Sequence, residues 1–235
     1  MAESYERRRP SYPPELVAWI VERLGVGRGT TVVDVAAGTG KLTRQLVPTG
    51  ARVIAVEPLD EMRAQLEAAV PNVEAVAGSA EDLPLADGSA DAITVASAIH
   101  WFDLDRALPE FHRVLRPRGG LAIIGQGRDL ADPFQQALQE VIGTHLPDEA
   151  GFRVWRRELE ASGLFGPLED REASFDQLLD AEGLSERIGT ISYIARLEDV
   201  ERARLLERVR ALGEAQPESP FPFRYGAFAA VCARL

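Results

Sequence analysis

Apolar positions fall along the chain in two rhythms. Leu16, Val17, Ile20, Val21 and Leu24 repeat at helical spacing after Ser11-Tyr12-Pro13-Pro14, and Gly25, Gly27 and Gly29 follow. This predicts a helix opened by proline and ended by glycine. Thr30–Val35, Arg52–Val56, Val73–Val76, Ala92–Ala96 and Leu121–Ile124 are short runs rich in β-branched residues and read as strands. Between them, Lys41–Leu46 and the face of Leu59, Met62, Leu66 and Ala69 read as helices. Leu104, Ala107, Leu108, Phe111, Val114 and Leu115 give a further helical stripe, and Pro117-Arg118-Gly119-Gly120 reads as a turn.

Strands alternating with helices predict parallel βαβ units with right-handed crossovers. The expected fold class is α/β: a Rossmann-like, doubly wound, mostly parallel sheet with helices on both faces and a helical cover from the two chain ends. A ligand is expected at the carboxyl ends of the strands, near the switch point of the strand order. After Gly127 the alternation weakens. Pro133–Leu146 reads as a helix, residues 150–195 are mixed, Val200 to Leu212 carry another helical face, and Ala227–Ala233 reads as a closing strand. No linker-like segment divides the chain, so a single domain is expected over 1–235. Residues 1–29 would be an arm and helix, 30–127 a ligand-binding core, and 128–235 sheet completion and substrate cover.

The first strand runs into Ala36-Ala37-Gly38-Thr39-Gly40. Small residues let the backbone turn sharply and approach a ligand, and amides at a helix start favour an anionic group. Three ligands compete for such a turn. A Walker phosphate loop needs glycine where Val35 stands and Ser or Thr where Leu42 stands. A dinucleotide fingerprint needs a third glycine where Thr43 stands. S-adenosyl-L-methionine makes neither demand. Glu57, at the end of the second strand, is placed to accept hydrogen bonds from ribose hydroxyls, which on its own also suits NAD.

The formal net charge of −11 argues against nucleic acid and against an anionic membrane surface as partners. Arg7, Arg8 and Arg9 are a local exception, read as a solvated basic arm, with binding of an anionic substrate as the alternative. The single cysteine, Cys232, sits in the apolar run AAVCA and reads as core. No signal-like apolar segment or membrane-length run is visible, so the expected location is cytoplasmic. Histidines and carboxylates lack metal-ligand spacing, so no metal is expected.

Four blocks, DVAAGTGKLT, VIAVEPLDEM, GSAEDLPLADGSAD and RVLRPRGGLAI, occur in that order. Together they resemble class I S-adenosylmethionine-dependent methyltransferases, especially the ubiquinone-biosynthesis-like group that includes trans-aconitate methyltransferase-like enzymes. The resemblance covers residues 5–126 well and weakens beyond. It implies a seven-stranded sheet, methyl transfer from S-adenosyl-L-methionine to a small-molecule O, N or C acceptor, and S-adenosyl-L-homocysteine as product.

Carried over to this sequence, the resemblance implies that Asp34, Gly38, Thr39 and Gly40 line the methionine part. Backbone carbonyls around Ala36 and Ser97 would hold its amino group, and Glu57 the ribose. Pro58, Leu59 and Met62 would pack on adenine, and Ala80 would offer its N–H to the adenine edge. Ser79 stands where many relatives have aspartate, leaving Ser79 or Glu81 as the polar partner. Tyr5, Arg9 and Tyr12, in YERRRPSYP, would close the site.

In-line displacement from a sulfonium needs alignment and water exclusion more than covalent chemistry. A base is needed only if the acceptor must lose a proton. His100 is the candidate base, Trp101 and Phe102 candidate walls of the acceptor pocket, and Tyr193, Trp155 and Arg153 or Arg156 candidate substrate contacts. Asp103 is expected to cap the helix after it. An NAD-dependent oxidoreductase and a non-catalytic S-adenosylmethionine-binding module remain as alternatives.

Overall fold

The computed structural model describes residues 10–143 and 149–235. Seven strands lie in the order β3-β2-β1-β4-β5-β7-β6. They are β1 (Thr31–Val35), β2 (Arg52–Val56), β3 (Glu74–Val76), β4 (Ala90–Ala96), β5 (Leu115–Arg128), β6 (Glu169–Leu179) and β7 (Phe221–Ala233). The pairings β1–β2, β1–β4, β2–β3 and β4–β5 are parallel. The strand order therefore reverses at β1 and β4, the position at which a ligand crevice is expected. The seven-stranded, Rossmann-like sheet expected from the sequence is present.

The described residues form two compact units. One comprises residues 11–126, 150–173 and 227–235; the other takes Pro10 and the described residues of 127–149 and 174–226. β5, β6 and β7 each carry residues of both.

In the first unit the helices are α1 (Pro14–Arg23), α2 (Thr43–Leu46), α3 (Asp60–Ala69), α4 (Leu104–Val114) and α6 (Glu149–Ser162), with α5 falling in the second unit. β1 and β4 are buried along nearly their whole length, as parallel strands covered on both faces must be. Val33, Ile54, Ile93 and Ile123 from the sheet meet Leu104, Phe111 and Val114 of α4 in one core, which also holds Trp155 and Cys232. Burial pushes the Cys232 thiol up to about 12, which leaves it protonated and unreactive.

Several boundaries differ from expectation. The expected helix over Lys41–Leu46 is a single α turn, α2, continued as a 3₁₀ turn over Val47–Thr49. Pro48 has no N–H to extend it, and Gly50 leaves at φ 81°. The expected turn at Pro117–Gly120 is part of β5. Ala90 and Ala92 of β4 pair with Leu115 and Gly120, so β5 absorbs its extra residues in a bulge, with Arg118 at φ 70°. A Cβ at Gly119 would lie 2.9 Å from the carbonyl oxygens of both Arg116 and Asp91. Gly119→Ala is therefore expected to cost about 1–3 kcal/mol, measured by denaturant unfolding. Asp103 stands at the start of α4 but makes no side-chain cap there.

The second unit contains α5 (Pro133–Ile142), α7 (Ala181–Gly189), α8 (Ser192–Ala195) and α9 (Asp199–Glu214). Leu138, Leu184, Ile188, Ile194 and Val209 pack with Phe221, Phe223 and Tyr225 of β7. Asp132 and Asp180 cap α5 and α7 by accepting the Gln135 and Gly183 N–H groups at 3.0 and 2.7 Å. Among the described residues no helix is long and apolar enough to cross a membrane, and no group of three or more His, Cys, Asp or Glu is placed to hold a metal.

Candidate active site

The carboxyl ends of β1, β2 and β4 lie side by side because their residues are in register: Val35 pairs with Val56 and with Val95. Just beyond β1 and β4, Ala36 and Ser97 both adopt left-handed backbone with φ 54°. Non-glycine residues in that region carry strain of about 1–3 kcal/mol each, and such strain collects at ligand sites. The surroundings hold it in place: Ala37 N–H donates to the Val56 carbonyl at 3.1 Å, and Ser97 N–H to the Ile124 carbonyl at 2.8 Å.

Asp34 lies beneath this turn, fully buried. Its two oxygens accept the hydroxyls of Thr43 at 2.6 Å and Thr94 at 3.0 Å. Asp34 and Thr94 are register partners on adjacent strands, so their side chains share a face. Its carboxylate is thus committed to fastening β1, β4 and α2 together. Burial pushes the Asp34 carboxyl up to about 6, against the lowering effect of the two hydroxyls.

Asp34 binds its proton more tightly folded than unfolded, so its contribution to stability is greatest below pH 3.8 and falls as pH rises to about 6. At 1.36 kcal/mol per decade, the rise from 3.8 to about 6 amounts to about 3 kcal/mol. Unfolding free energies of the wild type and Asp34→Asn, compared between pH 4 and pH 7, are expected to show this slope in the wild type alone.

Glu57 follows β2 and is 4% exposed. One carboxylate oxygen accepts the Gly38 N–H at 2.8 Å and the other the Leu59 N–H at 3.0 Å. The carboxylate ties the glycine turn to the start of α3 and keeps a further lone pair on each oxygen for a diol. Arg63 supports it by donating to the Glu57 carbonyl at 2.9 Å. Pro58 and Leu59 are exposed, Leu59 at 57%, and Met62 is half-buried. A Cβ built on Gly38 would meet only the Met62 sulfur, at 3.8 Å, so the turn borders open space. Gly40 differs: its Cβ would press on Val70 and Leu66 at 3.0 and 3.1 Å, so packing and φ 83° explain this glycine. Thr39 is buried.

Ser79, Ala80 and Glu81 sit on the loop between β3 and β4. Ala80 is buried, and Glu81 accepts the Asp103 N–H at 3.0 Å. The loop is anchored from α4: Glu110 accepts the Leu83 N–H at 3.0 Å, and Arg113 donates to the carbonyls of Leu83 and Leu85. The Arg113 guanidinium beside Glu110 holds that carboxyl below its usual range. Tyr12 is buried and donates its hydroxyl to Ser97 Oγ at 3.0 Å, while Gln45 holds the Tyr12 carbonyl at 2.9 Å. Tyr5 and Arg9 lie outside the described residues.

His100 and Trp101 form a 3₁₀ turn after β4 with their rings 4.9 Å apart. His100 is exposed and Trp101 is 64% exposed. Phe102 packs edge-on against Phe111. One expected substrate contact, Trp155, is corrected, and the Arg153 side chain lies outside the described residues. Trp155 is buried in the core, stacked on Phe228, and Arg156 lies over Trp155 and pairs with Asp170. Helical periodicity puts Trp155 on the inner face of α6, which fixes its role as packing. Tyr193 belongs to the second unit.

The fold is α/β, with left-handed backbone just beyond β1 and β4 and a buried carboxylate after β2, all at the switch point of the strand order. The comparisons with known proteins narrow the class. A methyltransferase domain family matches residues 33–123. An uncharacterized methyltransferase of Mycobacterium tuberculosis is 38% identical over 214 residues, 91% of this chain and 84% of that protein. A solved structure from Anaeromyxobacter dehalogenans, provisionally assigned as a type II methyltransferase, superposes with a TM-score of 0.69 at 25% identity, covering 96% of this chain and 97% of its own. A geranyl diphosphate methyltransferase solved in complex with S-adenosylmethionine shares the fold, with a TM-score of 0.53 at 15% identity over 94% of this chain and 85% of its own. The chain belongs to the class I S-adenosylmethionine-dependent methyltransferases.

Proposed function

We propose that this chain transfers a methyl group from S-adenosyl-L-methionine to a small-molecule acceptor, with the donor bound across the carboxyl ends of β1, β2 and β4. The buried Glu57 carboxylate carries this reading. It is fixed by two backbone amides and retains acceptor capacity where a ribose diol needs it. Ala36 and Ser97 support it. Their left-handed backbone lies just beyond two adjacent strand ends, where carbonyls would meet an ammonium group. Exposed Pro58 and Leu59, with Met62, would supply the apolar face for adenine.

When bound, S-adenosyl-L-methionine supplies a methyl group activated on a sulfonium. The chain's part is then to align an acceptor in line with it and to exclude water. Tyr12, held by Ser97 and Gln45, would restrict the mouth of the crevice. Trp101 and Phe102 would wall the acceptor. His100 would accept a proton from a hydroxyl or acid acceptor. Asp34 would act by positioning, since its carboxylate is occupied by Thr43 and Thr94.

Calorimetric titration with S-adenosylmethionine and with NAD tests this reading, followed by labelled-methyl transfer into a metabolite pool. Donor binding without NAD binding is expected. A protein that takes NAD and ignores S-adenosylmethionine at millimolar concentration overturns the assignment of this crevice. One that binds S-adenosylmethionine but labels nothing is a binding module.

A further inference from the structure

The four parallel strands of the first unit end in one row. Val76, Val56, Val35 and Val95 are register partners across β3, β2, β1 and β4, so the segments after these strands emerge at the same edge of the sheet. The outer segments, after β3 and after β4, flank the inner two, which carry Glu57 and the glycine turn. Three strand spacings, roughly 14 Å, separate the outer strand ends. The outer segments are nonetheless joined. Glu81, beyond β3, accepts the backbone N–H of Asp103, beyond β4, at 3.0 Å.

Local sequence leaves that N–H in need of a partner. Asp103 is the N-cap of α4, and its own side chain caps nothing. In a capping box a Glu or Gln at the third helical position reaches back to the N-cap N–H. Here that position is Arg106, which has no acceptor. Glu81 supplies the missing carboxylate from a different loop, and its charge suits the positive end of the helix. The rest of the loop is gripped by the end of α4. Leu83 gives its N–H to Glu110 and its carbonyl to Arg113. All five N–H groups of Arg113 are spent: two on Glu110, two on the Leu83 and Leu85 carbonyls, and one on Asp87. The loop is thus fastened to both ends of α4, and the fastening at Asp103 directly follows His100, Trp101 and Phe102.

We propose that Glu81 is a positioning residue for methyl transfer. It ties the segment after β3 to the turn after β4, closes the α4 side of the crevice, and holds the His100–Phe102 turn in place while the donor is bound. The inference rests on the donor site proposed above. A donor lying between the two segments favours the tied state over the untied one. Trp101, 64% exposed, is then shielded with its turn.

The test needs no acceptor. Acrylamide quenching of the wild type, less that of Trp101→Phe, isolates Trp101 from Trp19 and Trp155. Saturating S-adenosylhomocysteine is expected to protect Trp101 in the wild type. An exposed hydrogen bond adds little net stability, so Glu81→Ala is expected to fold. It is expected to bind S-adenosylhomocysteine within about tenfold of wild type and to lose the protection. Two conservative variants separate reach from charge. Glu81→Gln keeps a carbonyl within reach of the Asp103 N–H, and the protection is expected to persist. Glu81→Asp keeps the charge but is one methylene short, and the protection is expected to be lost.

A charge that merely stabilises the start of α4 predicts the reverse, with Asp behaving as wild type and Gln as Ala, and that result overturns the proposal. Protection that survives in Glu81→Ala overturns it as well. A loss of S-adenosylhomocysteine affinity far beyond tenfold in Glu81→Ala would assign the carboxylate to the donor itself and overturn the positioning role. Wild type that binds S-adenosylhomocysteine without protecting Trp101 overturns the tie alone and leaves the donor site standing. Wild type that does not bind it overturns the donor site, and the tie with it.

Discussion

Glu57→Ala is expected to weaken S-adenosylmethionine binding by roughly 10²–10⁴-fold, because each lost hydrogen bond to a charged acceptor is worth about 1.5–3 kcal/mol and a ribose diol offers two. The same substitution strips the acceptors from the Gly38 and Leu59 amides. The turn then loosens, and the unfolding temperature should fall as well. Calorimetry well below that temperature separates the two effects. Glu57→Gln sharpens the comparison. A glutamine carbonyl can still serve one amide, but its NH₂ would face the N–H of the other. Intermediate affinity is expected, with a penalty on both donor and turn. If Glu57→Ala binds S-adenosylmethionine as tightly as wild type, the ribose is held elsewhere and the crevice has been misread.

The parallel half of the sheet was legible in the sequence because it is doubly covered. β1, β2 and β4 read as short runs rich in β-branched and apolar residues, and their observed ends fall within two residues of expectation. β6 was not legible. Its exposure alternates between exposed and half-buried along EDREASFDQLL, as befits the last strand of the sheet, and no apolar run announces it. β7 was seen only in its second half. Phe221, Phe223 and Tyr225 alternate with exposed residues, a period-2 signal that sits beside a proline and an arginine.

The site divides in the same way. Glu57 and the left-handed positions Ala36 and Ser97 could be singled out because short segments carry them. The fastening of Asp34 by Thr43 and Thr94 needs β1, β4 and α2 brought together, and only the register makes it visible. In sequence Thr43 shows only that a third glycine is missing. Arg187, buried with its Nε on the Tyr225 hydroxyl, gave no signal at all, because a buried arginine and a solvated one look alike in sequence.

His100→Ala carries the sharpest statement about chemistry. General-base assistance is worth about 10²–10⁴-fold, so kcat should fall by that factor with an acceptor that must lose a proton. Donor affinity should be unchanged, since Glu57 and the glycine turn are untouched. The wild-type rate should also rise with pH as the imidazole loses its proton, and this limb should vanish in the variant. An acceptor that is already deprotonated or is a neutral amine needs no base, and with it the two proteins should differ little. His100 is exposed and its ring lies beside that of Trp101, so a merely structural histidine would move stability rather than the pH profile. An unchanged kcat across pH with a hydroxyl or acid acceptor would leave alignment and water exclusion as the whole of catalysis, with Trp101 and Phe102 shaping the pocket and His100 a bystander.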